Sequence, residues 1–277
     1  MTIKKTYDDL NGNYYTNKVF LFLLIVILLP FFILSFYNHP YADDLFVTYM
    51  EWKYGLWGSI KYWYTSVSGR YFSLTIESLN PIKFGAYWAY KLNAIILIIL
   101  LLVSIYWLSG KLFKSLGRSG KIGITFLIVF PFIMLMPDVY AGIFYQNTIC
   151  QIFLPEIMTV FLLGCIISYY TSTNKKTYFI LSCILAIAII GSYEINMVYV
   201  DLVIALIAFI RILKRKNLTY IVALLIVCFV FSIIEIRAHG NSTRAYFFFP
   251  NQHNFSYSIR EAVIYSAVYL IPWVPFM

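Results

Sequence analysis

The sequence predicts an all-α protein, a polytopic bundle of about eight transmembrane helices with interfacial helices in a long first outer loop. Three observations predict it. Of the 277 residues, 61% are hydrophobic and 12% are charged, whereas soluble domains carry about 45–50% apolar and about 25% charged residues. Apolar runs near the roughly 20 residues needed to cross a bilayer recur along the whole chain. The polar segments between those runs alternate in charge, as membrane topology requires.

The runs occupy residues 19–36, 91–108, 122–136, 152–170, 178–190, 197–210 and 218–236, with an eighth at 262–277. The first lacks a small-residue cleavage site and reads as a retained span, not a signal peptide. The fifth and sixth are short, and extend toward each other through residues 191–196 as a tight hairpin. The chain reads as one transmembrane domain over residues 1–277. Because the last run reaches Met277, it is expected to be the N-terminal part of a longer module.

Thirteen basic residues and two acids fall before span one and in the connections between spans two and three, four and five, and six and seven. The opposite side holds eight basic and ten acidic residues. The positive-inside rule then places the N-terminus in the cytoplasm. Residues 38–90, the first outer loop, and 237–261, the late outer loop, face outward. The net charge of +9 at pH 7 therefore sets topology, and nucleic acid is not an expected partner. Cys150, Cys165, Cys183 and Cys228 show no CxxC or Cys/His spacing, so neither a disulfide framework nor a zinc site is expected. No GxxxxGK[ST] phosphate loop occurs.

The first outer loop is too long for a plain connection. Tyr49, Trp52, Tyr54, Trp57, Tyr62, Trp63 and Tyr64 suit the headgroup region. Residues 44–57 suit a helix in the interface plane, with Gly55, Gly58 and Gly69 as turn points. Pro40 ends the first span, so a new helix can start at Asp43-Asp44. One acid suffices as a cap. Neighbours on a helix diverge by about 100°, which leaves the other to face a cavity, take a proton from a hydroxyl, or hold a divalent cation. Such a cation, on Asp43 or Asp44, is the one cofactor these acids suggest.

Arg70, in Ser68-Gly69-Arg70, either snorkels to lipid phosphate or forks onto a substrate phosphate. Arg244 admits the same two readings. Before it, Gly240-Asn241 marks a turn whose N–H groups suit an anion. His239 lies beside this cluster, and a lone histidine is commonly a plain surface residue. Glu194, at the tip of the hairpin, is either a hydrophilic turn residue or a contact for a substrate hydroxyl. Asp201 and Glu235 lie inside apolar runs, where ionisable groups line cavities or pair with bases.

The order of these parts resembles the GT-C superfamily of membrane glycosyltransferases: a first span, then Ala42-Asp43-Asp44, then an aromatic loop with Tyr62-Trp63-Tyr64 and Ser68-Gly69-Arg70. It is also similar to a family of bacterial multi-span proteins with that opening and a later Gly-Asn…Arg, here Gly240-Asn241 and Arg244. The resemblance covers roughly the first ninety residues and the later patch. It implies transfer of a sugar from polyprenyl phosphate to a cell-envelope glycan or lipid acceptor, outside the cytoplasmic membrane. Asp43 or Asp44 would be the catalytic base. Arg70 and Arg244 would contact the donor phosphate, with Glu194, His239 and Asn241 in the substrate site. A transporter or flippase for lipid-linked glycans, and a non-catalytic assembly protein, are the rival readings.

Overall fold

The structure, a computed structural model, describes residues 2–136, 138–248, 260 and 264. Every regular element among the described residues is helical. Helix α1 (Thr2–Ser35) leads to α2 (Asp43–Ser66), α3 (Tyr71–Glu77) and a 3₁₀ turn (Pro81–Phe84). Helices α4 (Tyr87–Leu112) and α5 (Arg118–Met134) follow. A π-helical turn (Tyr140–Phe144), the short α6 (Gln146–Thr148) and a second π turn (Ile149–Phe153) then run into α7 (Leu154–Thr171). The chain continues as α8 (Lys175–Ile190), α9 (Glu194–Leu213), α10 (Thr219–Ile236) and α11 (His239–Phe248).

Among the described residues, five segments are long and apolar enough to cross a membrane: Lys18–Ser35, Tyr87–Leu112, Gln146–Thr171, Glu194–Leu213 and Thr219–Ile236. The expected count of eight is not reached on that measure. Helices α5 and α8 have 17 and 16 residues, near 24–26 Å at 1.5 Å per residue, against a hydrocarbon core of about 30 Å. The expected eighth run falls outside the described residues.

The long helices pack in a continuous series, α1 on α5, α5 on α4, α4 on α7, α7 on α8, α8 on α10 and α10 on α9. Two apolar cores result. One joins Leu28, Ile98, Val129, Ile143 and Ile157 between α1, α4, α5, the π turns and the start of α7. The other joins Leu162, Ile189, Val200, Ile204 and Leu224 between α7, α8, α9 and α10. Leu, Ile and Phe also remain exposed along the outward stripes, such as Phe22, Leu202 and Phe229, where lipid tails would cover them. Packing between such helices rests on dispersion and polar links, since lipid is as apolar as the side chains themselves.

Because successive long helices alternate in direction, one end of the bundle gathers the end of α1, the start of α4, the π turns, the α8–α9 turn and the end of α10. Helices α2, α3 and α11 sit on this end as a crown, α11 against α2 and α2 against α3. The crown has its own small core of Val47, Met50, Trp63 and Leu74. The helix expected from residues 44–57 is present as part of α2, and Trp52, Tyr49 and Trp57 lie exposed along it. It breaks at Gly55, where φ is +71°, a conformation glycine reaches without steric cost. The clustered lysines and arginines of the α4–α5, α8 and α9–α10 connections lie at the opposite end.

Candidate functional site

The crown is fastened to the bundle by backbone bonds that position the charged side chains. Gly69 accepts a close approach: a methyl there would press on Ala238 at 2.7 Å, on Asn241 at 2.9 Å and on the Glu235 carbonyl. The Gly69 N–H donates to Asn241 Oδ1 at 2.8 Å, and Asn241 Nδ2 donates to the Glu235 carbonyl at 2.7 Å. One side chain thus ties α11 to the loop before α3 and to the end of α10. The first N–H groups of α3, on Phe72 and Ser73, donate to the Gly191 carbonyl at 2.7 and 3.2 Å, which satisfies donors that a helix start leaves open. Arg70 is therefore held between two fixed points.

The two acids diverge as neighbours on a helix must. Asp44 turns inward and is buried. Its Oδ2 accepts from the Tyr90 hydroxyl at 2.7 Å and from the Tyr41 N–H at 3.2 Å. Burial raises this carboxyl above the usual aspartate range, against the lowering effect of the Tyr90 bond. Asp43 instead lines a cavity. Its Oδ2 accepts from the Tyr145 hydroxyl at 2.8 Å and from Asn147 Nδ2 at 2.9 Å. Its Oδ1 receives no hydrogen bond among the described residues. The rings of Tyr41, Tyr140 and Tyr145 wall this corner, with centroids 6.2 to 6.5 Å apart.

Arg70 is buried and makes three side-chain hydrogen bonds. Its Nε and Nη2 donate to Glu194 Oε2 at 3.0 and 2.7 Å, and its Nη1 donates to Gln151 Oε1 at 2.7 Å. The guanidinium also lies 4.2 Å from the centre of the Tyr193 ring. Pairing of this kind is what a buried charge requires. Arg244 reaches the other Glu194 oxygen, Oε1, from Nη1 at 3.5 Å. One carboxylate thus stands between two guanidinium groups.

Amides connect the arginine side of the site to the acids. Gln151 Nε2 donates to Glu77 Oε1 at 3.1 Å and to Asn147 Oδ1, while Asn196 Nδ2 donates to the Gln151 carbonyl at 2.6 Å. Burial pushes the Glu77 carboxyl up to about 8, opposed by the Gln151 bond and by Arg70. The result is a cavity of about 510 Å³ with two kinds of wall. Asp43, Arg70, Glu77, Asn147, Gln151 and Arg244 make the polar wall; Phe46, Val47, Trp63, Val67 and Leu74 make the apolar one. An anion can meet cations here while an apolar chain lies beside it. A hydroxyl can also meet a carboxylate in the same space.

Of the residues singled out in the sequence, Asp43, Arg70 and Arg244 line this cavity, and Glu194 sits behind it as their counter-ion, already committed to both arginines. Asp44 does not line it. His239 is exposed at the start of α11 and is not on the cavity wall. The expected turn at Gly240-Asn241 is absent, because these residues lie within α11. Asn241 spends its amide on Gly69 and Glu235, and Gly240 lets α11 approach Ser68 N and Tyr64 O, at 2.5 and 2.6 Å from where a methyl would stand. Among the described residues no three His, Cys, Asp or Glu side chains group as a metal site, and the Asp44 carboxylate is already taken up by Tyr90 and Tyr41.

Sequence reasoning passed over Glu77 and Gln151 as site residues, and weighed Asn147 only as part of a polar outer turn with Gln146. A signal existed for each. Glu77 lies seven residues, two helical turns, after Arg70, and Asn147 and Gln151 are four apart; both spacings put side chains on one helix face. Inside the bundle, Ser232 donates to Asp201 Oδ2 at 2.9 Å. Glu235 is fully buried at the end of α10, and both its carboxylate oxygens lack a partner among the described residues. Comparison with protein-family models, with curated proteins and with solved structures finds no match in any of the three.

Proposed function

We propose that the protein is a membrane glycosyltransferase that moves a sugar from a polyprenyl-phosphate donor to a cell-envelope glycan or lipid acceptor on the outer face. The observation that carries this reading is the shared cavity, lined by Asp43, by Arg70 and Arg244, and by an apolar wall of Phe46, Val47, Trp63, Val67 and Leu74. The phosphate of a lipid-linked sugar would lie against the arginines, with its prenyl chain along Phe46, Val47 and Leu74. The acceptor hydroxyl would approach Asp43.

A glycosyl phosphate is already activated, because phosphate is a good leaving group. The protein must then supply two things. As the new C–O bond forms, Asp43 Oδ1 takes the acceptor proton, while Tyr145 and Asn147 hold the other oxygen in place. As the old C–O bond breaks, Arg70 and Arg244 stabilise the charge gathering on the lipid phosphate. Asp44 acts at one remove, fixing the start of α2 through Tyr90 and Tyr41. The positive-inside rule supports a reaction outside the cytoplasmic membrane, with the N-terminus inside. In that arrangement α5 and α8 also cross, since each joins opposite ends of the bundle.

The test is transfer of radiolabelled sugar, from a panel of polyprenyl-phosphate hexoses, to acceptors in membranes with and without the full-length protein. Protein-dependent transfer from one donor is expected, with Arg244→Gln raising the KM for that donor. Protein-dependent uptake of lipid-linked glycan into the opposite leaflet, with no new glycosidic bond, would overturn transfer in favour of a flippase.

A further inference from the structure

Among the described residues, Glu77 is the one ionisable group on the cavity wall without a cation or a pair of donors in contact. It is 5% exposed and takes part in none of the ion pairs among the described residues. Its sole hydrogen-bond partner among the described residues is Gln151 Nε2, on Oε1. Gln151 is turned that way round because its own oxygen is committed to Arg70. Oε2 has no partner among the described residues, and Glu77 lines the cavity.

A buried carboxylate with one neutral donor is costly, and proteins meet that cost by keeping the group protonated. The charges facing Glu77 are Asp43 and Asp44 from α2, which disfavour a further anion, and Arg70 ahead of α3, which favours one. Cys150, from the second π turn, also faces it and is fully buried. Burial dominates these, and the carboxyl is pushed up to about 8. At neutral pH the cavity therefore presents a carboxylic O–H. Arg70 and Arg244 share the single negative charge of Glu194, so one unit of positive charge remains on the arginine side of the cavity, opposite the Asp43 carboxylate.

We propose that Glu77 is a neutral hydrogen-bond donor to the donor's phosphate, completing with Arg70 and Arg244 a site for a singly charged phosphodiester. This rests on the reading of the cavity as a lipid-phosphate site. Ionised Glu77 would remove the O–H and cancel the remaining positive charge, so affinity must fall as the group titrates.

The test uses the full chain in detergent and citronellyl methyl phosphate, a short prenyl phosphodiester that stays a monoanion throughout. Binding is measured from about pH 6.5 to about pH 9, a window that brackets the titration of a carboxyl shifted this far. Wild type should lose about tenfold or more in affinity across it, the equivalent of one unit of proton linkage. Glu77→Gln, whose amide can donate the same bond, should bind as wild type does at the acid end and stay flat. Asp44→Asn should keep the wild-type fall, which separates the two carboxyls. Arg244→Gln should bind more weakly at every pH, with the fall retained. A fall that persists in Glu77→Gln, or a wild type that binds without pH dependence or not at all, overturns the proposal. If the binding pattern holds but no donor in the panel supports transfer, the transferase reading fails and the Glu77 contact stands.

Discussion

Exchanging Asp43 for Asn takes a proton acceptor out of the cavity and changes little else. The two bonds on its carboxylate come from Tyr145 at 2.8 Å and Asn147 at 2.9 Å, and an amide oxygen in the same place can accept both. The lost charge sits at the first position of α2, where favourable interaction with the helix dipole contributes about 0.3–1 kcal/mol. The fold should therefore lose no more than that, a small shift in Tm. Loss of a general base costs about 10²–10⁴-fold in rate. Asp44→Asn makes the opposite pattern. It keeps an acceptor for Tyr90 and Tyr41 and removes a charge from a buried place, so any loss of rate comes from displacement of α2. A displacement that costs about 1 kcal/mol at the transition state lowers the rate less than tenfold. Initial rates of sugar transfer in membranes, normalised to folded protein by fluorescence size-exclusion, separate the two. Unimpaired transfer in Asp43→Asn would refute the assignment of the base, and an equal collapse in both variants would refute the division of labour between them.

Gly69→Ala should lower stability by about 1–3 kcal/mol through overpacking, because the new methyl meets the Glu235 carbonyl and Ala238; thermal unfolding in detergent reads this directly. Asn241→Ala strands the Gly69 N–H, at about 1–3 kcal/mol for an unsatisfied group, while the Glu235 carbonyl keeps the Ala238 N–H; the same assay should show it. Glu77 also links stability to pH. Its carboxyl rises from an ordinary value near 4.5 to about 8 in the folded state, so the folded protein holds a proton that the unfolded chain has released. Stability is then greatest below about 4.5 and declines as pH rises to about 8; Glu77→Gln should remove that slope from a series of Tm measurements. For topology, single cysteines at Lys114 and Lys175 should resist an impermeant thiol reagent in intact cells while one at Lys61 reacts. Reaction at all three would overturn the orientation.

The helical class and the limits of most long helices were legible, because lipid imposes a strong pattern on composition and length. So was the break of the first outer loop at Gly55, where a glycine interrupts a run of good helix formers. Asp43, Arg70 and Arg244 stood out because charges flanking apolar runs need a reason. What stayed hidden depends on how separate helices meet. Gly240-Asn241 reads as a turn from local preference alone, yet contact between α11 and α2 demands a residue without a side chain there, and tertiary packing overrides the local signal. Glu194 reads as a free polar tip until Arg70 and Arg244, 124 and 50 residues away, close on it. Gln151 lies at the edge of an apolar run and offers no hint that Glu77, 74 residues earlier, will need its amide.

The two π turns carry a consequence for how this segment tolerates change in length. A π turn closes its bonds over five residues and holds one more than an α turn does. Gln151 lies inside the second such turn, between Asn147 on one side and α7 on the other. Deleting one residue there would let the helix relax to the regular ladder, and everything upstream would rotate by about 100° relative to α7. The amide would then part from either Arg70 or Glu77, since one register cannot serve both. The extra residue acts as a phase setting between a rod built to cross the membrane and a crown built to hold charge. Length variation should be excluded from this short stretch while the basic connections at the other end of the bundle absorb it freely.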